Sequence, residues 1–154
     1  MTQTLPTNAP DLMDYILSEF HEKHRQDLPA LIALAQQLPA SPEGTRFADE
    51  LQALMVELEA HMFKEEMRLF PMMAQGGNTL IGLLIDDMMQ EHARHSLDTA
   101  GMTARLNALV VPPAQQTTLA AVKAGWQAFL AELAKHVAAE DEALFLMFTP
   151  PAGT

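Results

Sequence analysis

A chain of 154 residues that is 49% hydrophobic and 19% charged has the length and composition of one globular domain, and excludes a largely disordered polymer. A formal charge of −11 leaves no basic face for a phosphate backbone or an anionic lipid surface, so neither nucleic acid nor membrane is an expected partner. The chain has no cysteine, which excludes disulfides, thiolate metal sites and thiol nucleophiles.

Residues 1–10, with Pro6 and Pro10, read as a flexible N-terminal arm leading to Asp11, a candidate helix N-cap. The first helical segment carries Leu17, His21, His24, Leu28, Leu31 and Leu38 on one face, and Pro29 inside it predicts a bend. LPASPEG at 38–44 closes that segment and opens the next, with Ser41 as cap and Pro42 at the first helical position. The second segment places Phe47, Leu51, Leu54, Leu58, His61, Glu65, Leu69 and Met72 on one face. It ends at QGGNT, 75–79, where Gly76 or Gly77 suits a left-handed C-cap and Asn78 or Thr79 the next N-cap.

The third segment lines up Ile81, Leu84, Met88, His92, His95, Thr99, Met102, Leu106 and Leu109, and VVPPAQ at 110–115 breaks it. The fourth gives Leu119, Val122, Trp126, Phe129, Leu133, His136, Glu140, Leu144 and Met147, with Trp126 as a core anchor. TPPAGT, 149–154, reads as a flexible tail. Four long helices joined by short loops predict an all-α, up-down-up-down antiparallel four-helix bundle over residues 11–148. No apolar run approaches the ~20 residues of a membrane span. The N-terminus lacks the basic and apolar regions of a secretory signal, so the expected compartment is the cytoplasm.

All six histidines and two glutamates fall on these otherwise apolar faces. An ionised carboxylate buried without a cationic partner costs several kcal/mol. Lys64, Arg68 and Lys135 lie off the seams, so the spacing calls for a cation inside the bundle. His61 and Glu65 are four apart, as are His136 and Glu140, which stacks an imidazole and a carboxylate one turn apart on one face. Both pairs are followed by Leu-Phe, at 69–70 and 144–145. His21-x-x-His24 is echoed by His92-x-x-His95.

The chain therefore reads as two halves. Each supplies imidazoles to one metal, and the two glutamates bridge the pair. Six or more candidate ligands exceed the four of a single zinc. Imidazole and carboxylate without thiolate favour two iron ions, joined by an oxo or hydroxo bridge that lowers their charge, with manganese or zinc as alternatives. The Glu-x-x-His of ferritin-like sites does not occur. A histidine-rich set suits binding of dioxygen, nitric oxide or peroxide better than strongly oxidising chemistry. Spacing does not choose between the two histidines of each H-x-x-H pair. Glu66, Asp141 and Glu142 are expected in solvent, as are Glu57 and Glu91; the methionines are expected to serve packing.

FHEKHRQDLPAL, HMFKEEMRLFPM, the EH of QEHARH, and HVAAEDEALF together resemble the hemerythrin-like HHE cation-binding family over about residues 12–148. Within it they most resemble the di-iron domain of iron–sulfur cluster repair proteins. The resemblance implies ligation by His21, His61, His92 and His136, with Glu65 and Glu140 bridging, and leaves His24 and His95 as groups that hold the ligating imidazoles from outside. It implies a protein of nitrosative or oxidative stress that binds a diatomic ligand and acts on damaged iron–sulfur proteins, a binding and repair role rather than an enzymatic one. The other reading is a module for oxygen sensing, storage or metal sequestration without turnover. Full-length repair proteins of this type carry an N-terminal module with adjacent cysteines, and Leu146 stands where the first Leu-Phe is followed by Pro71; the present chain has no cysteine.

Overall fold

The computed structural model describes residues 4–149. The ends of the predicted arm, at 1–3, and of the predicted tail, at 150–154, lie outside the described residues. Among the described residues every regular element is helical. The first rod of the bundle is α1 (Ala9–Ile16), a π-helical turn (Leu17–His21) and α2 (Glu22–Ala35). The second is α3 (Pro42–Lys64), a π turn (Glu65–Leu69) and α4 (Phe70–Ala74). The third is the single unbroken helix α5 (Ile81–Ala108). The fourth is α6 (Gln116–Ala139), a π turn (Glu140–Leu144) and a 3₁₀ turn (Phe145–Met147).

Local chemistry sets the ends of these rods. The first helix is capped by Asn8, whose Oδ1 accepts from the Asp11 N–H at 2.9 Å. Asp11 is therefore the recipient of a cap, not the cap: a helix needs its acceptor outside the first turn, and Pro10 is already a helical residue. Ser41 caps α3 as expected, accepting from the Gly44 N–H ahead of Pro42. Between the second and third rods the chain reverses through Gly76 and Gly77 at φ 94° and 83°, a left-handed conformation costly to residues with a Cβ. Asn78 Oδ1 then takes the Leu80 N–H. Helix α2 continues through Pro29, and the departure from α-helical hydrogen bonding in that rod lies upstream, at Leu17–His21.

The core has two apolar clusters with a polar layer between them. One cluster gathers Leu28, Leu51, Leu58, Leu106, Val122 and Trp126 with their neighbours; the other gathers Leu12, Ile16, Leu69, Ile85, Leu144 and Phe145 with theirs. Along the first rod the chain passes from the second cluster through His21 and His24 into the first, and the second rod makes the return trip through His61 and Glu65. The third and fourth rods repeat the alternation, which is the up-down-up-down order read from the loops. Trp126 is fully buried, edge-on to Phe47 at 5.6 Å, and its Nε1–H donates to Thr103 Oγ1 at 2.8 Å.

The three π turns correct the predicted seams. A π turn takes one residue more than an α turn, so the buried face slips by one position across it. Two adjacent residues are consequently buried at each slip: Phe20 with His21, Leu69 with Phe70, and Leu144 with Phe145. Beyond the slips the seam runs through Met73 in place of Met72, and Met147, predicted inside, is exposed. In the first rod Ile16 and Phe20, not Leu17, continue the apolar face. In the third, Ile85 is buried more deeply than Leu84.

Candidate metal centre

The polar layer is built from all four rods. His21 closes the π turn of the first rod, while Glu65 and Glu140 each open the π turn that follows their own i−4 histidine, His61 and His136. In each turn an N–H reaches back five residues: Glu22 to Leu17, Phe70 to Glu65 and Phe145 to Glu140. The third rod contributes His92 from unbroken helix. Single π turns inside α-helices commonly mark functional sites, because they re-aim side chains that regular spacing would leave on diverging faces.

His21, Glu65, His136 and Glu140 each offer an atom within 4.8 Å of all the others, and His61, Glu65, His92 and Glu140 do the same. The two groups share both glutamates. Glu140 faces both, with Oε2 2.9 Å from His136 Nε2 and Oε1 2.9 Å from His92 Nε2. Glu65 Oε1 lies 3.2 Å from His21 Nε2 and 3.5 Å from His61 Nε2. The Nε2 atoms of His61 and His92 are 3.0 Å apart. Both carboxylates are fully buried, and among the described residues His21 Nε2, both oxygens of Glu65 and Glu140 Oε1 make no well-directed hydrogen bond and face chiefly one another. A cluster of converging, dehydrated donors that lack directed hydrogen bonds is costly to a fold. Two cations between the rods would satisfy these atoms, and imidazole with carboxylate is a donor set that iron, manganese and zinc accept.

Each of the four imidazoles turns Nε2 inward and is held from outside at Nδ1. His21 Nδ1–H donates to Glu66 Oε2 at 2.7 Å, His92 to Asp141 Oδ1 at 2.9 Å, and His61 to Glu91 Oε1 at 3.2 Å. His136 Nδ1 meets His24 Nε2 at 3.0 Å. Such partners fix tautomer and ring orientation and raise ligand basicity. Two of these carboxylates are themselves held by cations: Arg25 Nη2 donates to Glu66 at 2.7 Å, and Lys64 Nζ donates to Glu91.

Three carboxylates read from sequence as solvated are thus structural members of the site. Glu66 and Asp141 are half-buried and Glu91 is buried. Each stands beside a ligand-type residue in sequence (Glu65, Glu140, His92) and turns off its own seam, but there it meets an imidazole from a neighbouring rod rather than water. Glu57 and Glu142 are exposed as expected. Of the two spare histidines, His24 reaches His136, whereas His95 packs edge-on to His61 at 5.6 Å between ring centroids. His95 also lines a cavity of about 340 Å³ beside His61 and His92, walled by Leu58, Leu133 and Val137, with room for a small molecule.

The titration behaviour follows from crowding carboxylates and imidazoles without water. Burial by itself depresses His21, but Glu140 and Glu65 outweigh it and raise its pKa to about 10. His92 is likewise depressed by burial and carried up to about 10 by Asp141 and Glu140. His136 moves in the same direction, against full burial, through Glu140 and then Glu65. Glu140 is held well below the usual carboxylate range, because His136, His21 and His61 more than offset its burial. The two outer histidines go the other way: burial and the neighbouring His136 push His24 down to about 3, and burial with His61 pushes His95 down to about 4. Without metal, protons held on His21, His92 and His136 face the Glu140 carboxylate, and an incoming cation would displace them.

Residues 12–148 match the hemerythrin HHE cation-binding domain family. The chain belongs to this family. It is 33% identical over 142 residues to the iron–sulfur cluster repair protein YtfE of Pectobacterium atrosepticum, covering 88% of the present chain and 63% of that protein. It is also 33% identical over 161 residues to the protein of the same name from Yersinia pestis, covering 93% and 71% respectively. The chain therefore spans about two thirds of the length of these relatives. Among the described residues, no helix is long and apolar enough to cross a membrane.

Proposed function

We propose that the domain holds two iron ions, ligated by His21 and His136 at one position and by His61 and His92 at the other, with Glu65 and Glu140 bridging. On this reading it serves in the repair of iron–sulfur proteins damaged by nitric oxide or oxidants. The observation that carries the reading is the pair of four-residue groups that share both buried glutamates, their donor atoms converging on one another without well-directed hydrogen bonds. The relatives named for iron–sulfur cluster repair support the choice of role. Bound iron would supply redox and Lewis-acid chemistry between the rods. The chain's own residues do the rest. Glu66, Glu91, Asp141 and His24 orient the imidazoles; Phe20, Phe70 and Phe145 stack on His136, His21 and His92 and keep bulk water out. The cavity beside His95 admits a diatomic ligand or peroxide next to the His61/His92 position.

The test has two steps. Metal analysis of protein purified without chelators is expected to find about two irons per chain. Addition of that protein to a cytoplasmic iron–sulfur enzyme inactivated by nitric oxide is then expected to restore its activity, while the metal-free chain restores none. Iron binding without reactivation would leave a sensing or storage module and remove the repair role.

A further inference from the structure

The two metal positions are related by the repeat in the sequence, but their outer partners are not alike. His21 and His92 are equivalent, and each donates to the carboxylate that follows a bridging glutamate, Glu66 and Asp141. His61 and His136 are equivalent too, yet His61 donates to Glu91 and His136 to His24. The difference begins one residue before the first histidine of each H-x-x-H pair. Glu91 precedes His92, and Phe20 precedes His21. Phe20 stacks on His136, its ring 5.5 Å away and 7° from parallel, and presents no acceptor where Glu91 presents one to His61. His24 fills that role from the next turn. To accept from His136 at Nε2 it carries its own proton at Nδ1, a neutral imidazole whose buried N–H finds no partner among the described residues.

The charges differ accordingly. Around His21/His136 stand Glu66, paired with Arg25, which it shares with Glu59, and neutral His24. Around His61/His92 stand Glu91, paired with Lys64, which it shares with Asp87, and Asp141, to which no lysine or arginine among the described residues is bridged. The His61/His92 side is one negative charge richer. Carboxylates behind ligating imidazoles strengthen metal affinity, and loss of such an outer partner typically costs about 10- to 100-fold.

From this asymmetry we infer that the two positions fill in sequence, the His61/His92 position first and the His21/His136 position second and more weakly, with Glu91 and His24 as the residues that set the order. The inference rests on the two-metal reading above and deepens it. His24 and Glu91 are positioning residues: they act on the metals through His136 and His61.

The experiment is an anaerobic equilibrium titration of the metal-free full chain with cobalt(II), followed by its visible absorption, together with anomalous diffraction from crystals of wild-type protein given one equivalent of cobalt. Two binding steps separated by about 10-fold or more are expected, with the single equivalent residing between His61 and His92. Glu91→Gln should weaken the first step about 10- to 100-fold and narrow the gap. His24→Gln, which keeps an acceptor near His136, should move the second step only. Equal occupancy of the two positions at one equivalent, or His24→Gln moving the first step, overturns the inference while leaving two metals per chain. Binding of no ion, or of one ion at saturation, overturns the two-metal reading itself. The diffraction measurement uses the native chain, so it decides the order even where a variant fails to fold.

Discussion

The Trp126 cluster and the polar layer occupy the same faces of the same helices, yet obey opposite rules. Around Trp126 the faces are filled mainly with Leu, Val and Phe, and the indole N–H of Trp126 itself donates to Thr103. One turn or two along the rods, the same faces carry six histidines and two glutamates, all buried, several with inward atoms that make no well-directed hydrogen bond among the described residues. Apolar burial stabilises the bundle in proportion to area removed from water. Buried carboxylates and imidazoles do not, unless something else pairs them. The first region holds the fold, and the second is carried by it. Substitutions in the two regions should therefore separate stability from metal binding.

The largest effect is expected from Glu140→Leu. Each oxygen of Glu140 faces a different position, so its loss should reduce metal content from two ions to one or none per chain, while far-UV circular dichroism retains the helical signature. A variant that kept two metals would break the bridging assignment. Trp126→Ala should do the converse. Removal of a fully buried indole costs about 3–5 kcal/mol in denaturant unfolding, with the folded fraction still binding two ions. Loss of metal at unchanged stability would contradict the division between the regions.

The comparison is sharpened most by the pH dependence of the metal-free chain. His21 and His92 bind protons more tightly when folded, near pH 10 against an ordinary 6.5. Their stabilising contribution is complete below about 6.5 and is lost as pH rises toward 10. His24 and His95 are depressed to about 3 and 4, so below 6.5 the unfolded chain takes up protons that the folded chain refuses, and stability falls with acid. Urea midpoints of the metal-free chain should therefore peak near pH 6.5 and decline on both sides. A profile rising from pH 7 to 10 would contradict the protonated, carboxylate-balanced layer. Metal addition should release protons over the same range.

Most of the fold was legible because helical period and Pro/Gly punctuation are local signals, and the six histidines and two glutamates of the seams were legible because polar groups break an apolar period. The preference for His21 and His92 over His24 and His95 came from the family resemblance alone. The π turns were not, since a hydrogen bond to the fifth preceding residue leaves no regular mark in composition. Their trace was the doubled apolar positions, Leu69-Phe70 and Leu144-Phe145, which a strict 3.6 period treats as one inside and one outside. Glu66, Glu91 and Asp141 were misread for a related reason. A residue adjacent to a seam turns about 100° away from it, and only the packed neighbour decides whether that direction holds water or an imidazole. Asn8 was overlooked as a cap because Pro10, read as part of the arm, is compatible with the first turn of a helix.

The central claim is that Glu65 and Glu140 are tolerable in a dry interior because two cations share them. Anomalous diffraction from crystals of the fully iron-loaded chain tests it directly. The account predicts two peaks about 3.5–4 Å apart, one beside His21 and His136 and one beside His61 and His92, each in contact with both glutamates. A single peak, or two ions elsewhere with Glu65 and Glu140 paired only to protein, would contradict it.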